Sequence, residues 1–328
     1  MDIRRFDPDD GDAVRGWAAV RTASSAHDAP WEHEPTEHFT LGQLRHGWDG
    51  EPQVPFLGTV GGVPVAAGAI STSERDNLHV AWVSVDVLPD RRRQGLGTTM
   101  LRHLEAEAAR MGRTSVGISC WDVDGLEAFG LAHGYERRAV GVNRRQYIAE
   151  IDARALDVLH DEAAAAAADY ELVRRRDRTP DDELEALAVM ASAINDAPKE
   201  GLDIEDEVFD AARIRAYDDA QVSRGFALHR LVARHRRTGE LAGQTVVVVD
   251  LERPHLADQH DTSVVAAHRG HRLGALLKTG MLQWLREDQP QVAEIDTWNA
   301  ESNGFMIGVN EALGYRVMGR EFDLQRSL

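Results

Sequence analysis

The chain has 328 residues, a formal charge of -18, 43% hydrophobic residues and 28% charged ones, which leaves room for two cores of ordinary globular composition. Nucleic-acid binding is excluded by the lack of a basic stripe, and a membrane span by the lack of any apolar run of ~18 residues. The single cysteine, Cys120, rules out an intrachain disulfide and a Cys-rich metal site, and no metal is expected.

The opening stretch MDIRRFDPDDGD has no apolar leader core, and with one cysteine it points to a cytoplasmic protein. A short strand leads into a helix over DAVRGWAAVRTA, whose Val14, Trp17 and Val20 share one face. A second helix ends near HGWDG. VPFLGTVGGVPVAAGAIS reads as a hairpin turning at Gly61-Gly62, and HVAWVSVDV as a β-branched strand. The loop PDRRRQGLG then opens a helix over GTTMLRHLEAEAARMG, closed by Gly112. TSVGISCW is the next strand and VDGLEAFGLAHG a short helix. Strands around YERRAV and NRRQYIAEI end this half. The Ala-rich stretch Asp152 to Ala168 has strong helix propensity and reads as a helical or extended linker.

The later elements repeat the earlier ones. Arg4, Arg5 and Asp7 match Arg174, Arg175 and Asp177; Asp28 of SSAHDAP matches Asp196 of ASAINDAP. Gly97 matches Gly274 in HRGHRLGALL, and Gly134 of AHGYERR matches Gly314 of ALGYRVM. The order is kept and the spacing drifts slowly. That is the mark of a tandem duplication of one domain of roughly 150–170 residues. The expected partition is residues 1–151, a linker over 152–168, and residues 169–328.

A strand, a glycine-bearing turn and a helix N-terminus together form an anion site, because first-turn amides have no intrahelical acceptor. Arginines beside them add a charged clamp, so a pyrophosphate suits PDRRRQGLG. A Walker loop would need Gly-Lys-Ser/Thr, and a dinucleotide fingerprint three glycines; neither is present.

Arg92-Arg93-Gln94-Gly95-Leu96-Gly97 instead resembles the acetyl-CoA loop of the GNAT acyltransferase superfamily, and the order of elements is similar throughout both halves. The resemblance is to tandem GNAT proteins of the mycothiol-synthase kind. It implies an α/β (α+β) fold. Each half would be a mixed, mostly antiparallel sheet flanked by helices, with its fourth and fifth strands splayed. It also implies acetyl-CoA, or another acyl-CoA, as co-substrate. The donor would lie on Arg92, Arg93, Gln94, Gly95, Leu96, Gly97 and Thr98 in the first half. In the second it would lie on Arg269, Gly270, His271, Arg272, Leu273, Gly274, Ala275 and Asn303. Fourth-strand amides would polarise the thioester at Val85 and Val87, or at Val264 and Ala266.

The halves are unequal. Arg272 stands where the family prefers its first glycine, which works if its φ is negative; its side chain then reaches a CoA phosphate. The family's tyrosine acid falls at Gly130 in one half and Asn310 in the other. ADQHDTSVV puts Asp261 and Ser263 on one strand face, and Asn299 ends the fifth strand, so Asp261, Asn310 and Asn299 are the catalytic candidates. Asn303 also suits a helix N-cap. The expected reaction is direct acyl transfer to the primary amine of a small molecule, by a monomer or homodimer. The alternatives are an idle acyl-CoA sensor or subunit, motivated by the missing tyrosines, and a protein-lysine acetyltransferase.

Overall fold

The computed structural model describes residues 1–328. The first half runs β1 (Asp2–Arg5), α1 (Gly11–Asp28), α2 (Glu37–His46), β2 (Val54–Val60), β3 (Val63–Ser71) and β4 (Val80–Val87). It continues with α3 (Leu96–Arg110), β5 (Ser115–Trp121), α4 (Leu126–Ala132) and β6 (Glu136–Tyr147). After α5 (Ala153–Ala166) the order returns as β7 (Tyr170–Arg176), α6 (Leu184–Ala191), α7 (Ala211–Ser223), β8 (Phe226–His235), β9 (Leu241–Asp250) and β10 (Leu256–Val264). The chain ends with α8 (Leu273–Asp288), β11 (Glu294–Ala300), α9 (Gly304–Ala312) and β12 (Arg316–Ser327).

Local chemistry sets the boundaries. Asp10 and Thr36 cap α1 and α2 by accepting from Ala13 N and Phe39 N at 3.0 and 3.1 Å. The β2–β3 turn needs positive φ at both central residues, which Gly61 and Gly62 supply (59° and 81°).

These elements pack as two units, and each unit borrows from the other half of the sequence. Unit 1 comprises Met1–Gly141, Lys199–Asp206 and Gly319–Leu328; unit 2 comprises Val142–Pro198 and Glu207–Met318. The expected partition at 151 and 169 follows the repeat but not the packing. Nor is the stretch after Asp152 a linker. It is α5, and Leu156, Ala163 and Ala167 on one helical face are buried in the core of unit 2.

Strand order in unit 1 is β1-β2-β3-β4-β5-β12, and in unit 2 β6-β11-β10-β9-β8-β7. β4–β5 and β10–β11 are parallel, whereas β5–β12 and the hairpins β2–β3 and β8–β9 are antiparallel. In unit 1 one sheet face packs on Met100, Leu101 and Leu104 of α3, and the other on Val14, Trp17 and Val20 of α1. In unit 2 α5 and α8 cover one face, while Leu187, Met190 and Ile214 of α6 and α7 fill a cluster on the other.

Candidate active site

Both glycine loops end in helix N-termini with free amides. The first helical bond of α3 is Thr99 N to Gly95 O at 3.0 Å, and that of α8 is Leu276 N to Arg272 O at 3.1 Å. Neither helix has a side-chain cap. The amides of Leu96, Gly97 and Thr98, and of Leu273, Gly274 and Ala275, are therefore available to an anion.

The arginines do not all serve that anion. Arg92 turns away from the loop. Its guanidinium forks onto Asp28 of α1, both bonds at 2.7 Å, bonds Ser24 Oγ at 2.9 Å, and its Nε donates to Val87 O at 3.2 Å. Arg269 repeats this, pairing with Asp196 and donating to Val264 O at 3.1 Å. The expected pyrophosphate contact of Arg92 and Arg269 is thus replaced by a strut that fixes the loop. The matched residues Asp28 and Asp196 are its far ends. Burial of Asp28 works against ionisation, but Arg92 and His27 together outweigh it and hold the carboxyl below the usual range. Replacing Arg92 by alanine leaves that carboxylate without its cation and is expected to cost about 3 kcal/mol in urea unfolding. Exposed Arg91→Ala should cost less than ~0.5 kcal/mol. Because the Asp28 pKa is lowered, the Arg92→Ala penalty should shrink as pH falls through the acid range.

Arg272 is a second correction. Its φ is +55°, not negative, and its guanidinium meets Glu162 of α5 at 2.9 Å. Gly95 takes the same left-handed place in unit 1 at φ 79°, without a Cβ penalty. Arg93 (φ 61°) and Gln94 are exposed on the loop of unit 1.

Behind each loop two parallel strands part. β4 pairs with β5 only from Val80↔Ser115 to Trp82↔Gly117, and β10 with β11 only from Leu256↔Glu294 to Gln259↔Thr297. Each strand continues beyond its last partner, which leaves an unpaired edge able to take an extended chain. Val85, Val87 and Val264 lie on these edges. Ala266 lies past the strand, in the turn Ala266–His268. β4 keeps a regular register with β3, but β10 has a bulge against β9 between Gln259 and Thr262. The bulge takes the stretch between Gln259 and Thr262, with His260 and Asp261, out of simple alternation.

A strand–loop–helix cradle for an anion beside splayed parallel strands invites comparison with known proteins. Residues 17–135 match the acetyltransferase (GNAT) family model. The segment is a GNAT acetyltransferase domain. A tandem GNAT protein from the clavulanic acid biosynthesis pathway, solved without AcCoA, is similar over 99% of this chain and 98% of that one, at 26% identity and a TM-score of 0.81. A GCN5-related N-acetyltransferase from Sphaerobacter thermophilus covers 99% and 95%, at 15% identity and a TM-score of 0.67. A putative acetyltransferase from Pyrococcus horikoshii shares the fold at 14% identity, with a TM-score of 0.58 over 100% and 89%. No curated protein matches. A GNAT acetyltransferase domain therefore occupies residues 17–135, the family's co-substrate is an acyl-CoA, and the whole chain is similar in fold to a tandem GNAT protein.

In unit 2 the slot between the parted strands is flanked by a polar cluster. Asp261 is half-buried, with no hydrogen bond or ion pair. Burial lifts its carboxyl above the ordinary range, and Arg230 and Arg213 only partly offset this. The Tyr217 hydroxyl bonds His260 Nδ1, and burial pushes His260 down to about 3, so its imidazole is neutral. Arg230 is fixed between Asp218 and Gln244, both at 2.7 Å. Ser263 Oγ is buried without a partner. Tyr217, Arg230 and Asp218 escaped the sequence reading, since they belong to none of the motifs read there.

Asn310, Asn299 and Asn303 are all engaged. Asn303 caps α9 by accepting from Met306 N at 3.3 Å, and Asn310 is fully buried and donates to Asn299 Oδ1 at 2.6 Å. A buried amide is no proton donor of tyrosine's kind, so Asn310 does not replace the missing acid.

Unit 1 presents a different face. Ser119 of β5 donates to Asp323 of β12 at 2.7 Å, and Glu321 lies in register with Trp121, whose ring meets Trp31 edge-on at 5.2 Å. Burial, with Asp323 and Glu32 nearby, raises Glu321 to about 8. Burial pushes the Cys120 thiol up to about 12, so it behaves as a small apolar group. Glu321 and Asp323 lie in a strand about two hundred residues from the domain they serve, which hid them.

Proposed function

We propose that unit 2 transfers an acyl group, acetyl in the simplest case, from acyl-CoA directly to the primary amine of a small molecule. The observation that carries this reading is the β10 bulge. It leaves Asp261 half-buried and unpaired next to the place where β10 and β11 part. A carboxylate there takes the proton that the amine loses as its nitrogen bonds the acyl carbon. The donor's phosphates would rest on the amides of Leu273, Gly274 and Ala275. The likeness to a tandem GNAT protein of the clavulanic acid pathway supports a small-molecule acceptor. Unit 1 would hold acyl-CoA on Arg93 to Thr98 without transferring it.

A second reading places transfer in unit 1. It is favoured by the unstrained Gly95 and by Glu321, a carboxyl that titrates near neutrality beside two tryptophans. Large side chains in the two cradles separate the readings. Gly274→Trp is expected to lower kcat/KM by ~100-fold, and Gly97→Trp to leave it nearly unchanged. The opposite pattern would move the reaction to unit 1. Loss in neither variant, with acyl-CoA still bound, would favour a binding role.

A further inference from the structure

The chain has two lysines, and one of them, Lys278, is 2% exposed inside α8. No carboxylate pairs with it. Its Nζ donates to Asn310 Oδ1 and sits 4.8 Å from the centre of the Tyr315 ring. The charged groups behind that ring are already committed, since Asp296 of β11 holds Arg145 of β6 at 2.6 and 2.7 Å and Glu294 lies 3.3 Å from the same arginine. A lone buried ammonium is costly, so a purely structural place for it is unusual.

The hydrogen bonds give it a direction. Lys278 fixes the oxygen of Asn310, and Asn310 Nδ2 donates one N–H to Asn299. Asn299 stands on β11, past Thr297, where pairing with β10 has ended. The second N–H of Asn310 has no acceptor. A polarised donor is thus left over beside the slot.

We propose that Lys278 is a positioning residue for acyl transfer, acting through Asn310 to stabilise the sulfur that leaves the acyl group. This rests on the reading that unit 2 is the transfer site. As the amine nitrogen bonds the acyl carbon, the carbon–sulfur bond breaks and its electron pair stays on sulfur. The amine proton goes to Asp261. The Lys278 charge, passed through the Asn310 amide, eases the negative charge on sulfur, which later takes a proton from water. Lys278 is not consumed.

Burial pushes Lys278 down to about 7. Its charge is present below that pH and lost above it, so wild-type kcat should fall as pH rises through that range. Lys278→Met should lower kcat by ~10-fold at pH 6.5, keep KM for acetyl-CoA, and abolish that alkaline fall. With p-nitrothiophenyl acetate, whose thiol leaves readily, the same variant should lose less than half as much on a logarithmic scale. An equal loss with both donors, an unchanged pH profile, or no loss would overturn the proposal. If Lys278→Met does not fold, the wild-type profile alone decides, and a flat alkaline limb refutes the inference. Gly274→Trp run in parallel tests the reading beneath it. Full turnover in that variant would overturn both, whereas loss there with an unaltered Lys278→Met would overturn only this inference.

Discussion

Asp261→Asn is expected to lower kcat by ~10²–10⁴-fold while leaving the stability of unit 2 unchanged or slightly improved. The two effects separate because the carboxyl has no partner to lose. Burial raises its pKa, so the ionised form disfavours the fold as pH rises above the ordinary aspartate range. An amide of the same shape removes that cost. It also removes the base. In the wild type kcat/KM should climb with pH as Asp261 ionises; in the variant that acid limb should disappear. The pH profile of initial rates, with urea unfolding at pH 7, measures both. A fall in rate accompanied by an equal fall in stability would mean that Asp261 holds the bulge rather than the proton.

The contrast between the two fourth strands explains why one repeat suits this chemistry. β4 is regular, and its Asp86 is half-buried beside Arg21 at 3.4 Å and Ser24. β10 carries one extra residue, and the carboxylate it displaces meets no cation at contact distance. A bulge costs ladder hydrogen bonds, so it persists where it re-aims a side chain. The loops differ in the opposite sense. Unit 1 has glycine at its left-handed position and unit 2 has Arg272, which carries strain of about 1 kcal/mol. Under the proposed function, the repeat with the easier anion loop is therefore not the one that carries the base.

Much of this was legible in the residues, for identifiable reasons. Glycines that open a helix after a strand leave few alternatives, so Gly95, Gly97 and Gly274 marked both cradles. The Asp28–Asp196 match was visible, but its partners were not. An ion pair between Arg92 and a residue 64 positions away leaves no local pattern. Register shifts are equally silent, because ADQHDTSVV reads as an unbroken strand and the bulge is set by β9. Lys278 did leave a trace, as one charge in the apolar run LGALLKTGML of a chain with only one other lysine, Lys199. The exchange of strands had none. β6 and β12 are both twelve-residue strands, and nothing in their alternation says which unit each completes.

That exchange predicts that a chain ending at Met318 loses unit 1 and keeps unit 2. Residues Glu321 to Ser327 pair with Trp121 to Ser115 along β5, so the deletion exposes a full strand edge. It also takes Phe322 (7% exposed) and Leu324 (0%) out of the core around Met100, Leu104 and Ile118. α4 packs directly on the missing side chain, since a Cβ on Gly130 would lie 3.0 Å from Leu324 and from Ile118. Losing a buried leucine and a buried phenylalanine costs on the order of 5–10 kcal/mol. A domain has about 5–15 kcal/mol in all, so unit 1 should unfold at ambient temperature. Hydrogen exchange should then show β2 to β5 unprotected and β8 to β10 protected. Under the proposed function the truncated chain keeps acyl transfer in unit 2 but binds one acyl-CoA in calorimetry where the full chain binds two. Equal protection in both units would mean that β5 does not need its distant partner. Loss of transfer with unit 2 still protected would instead place the reaction in unit 1, beside Glu321.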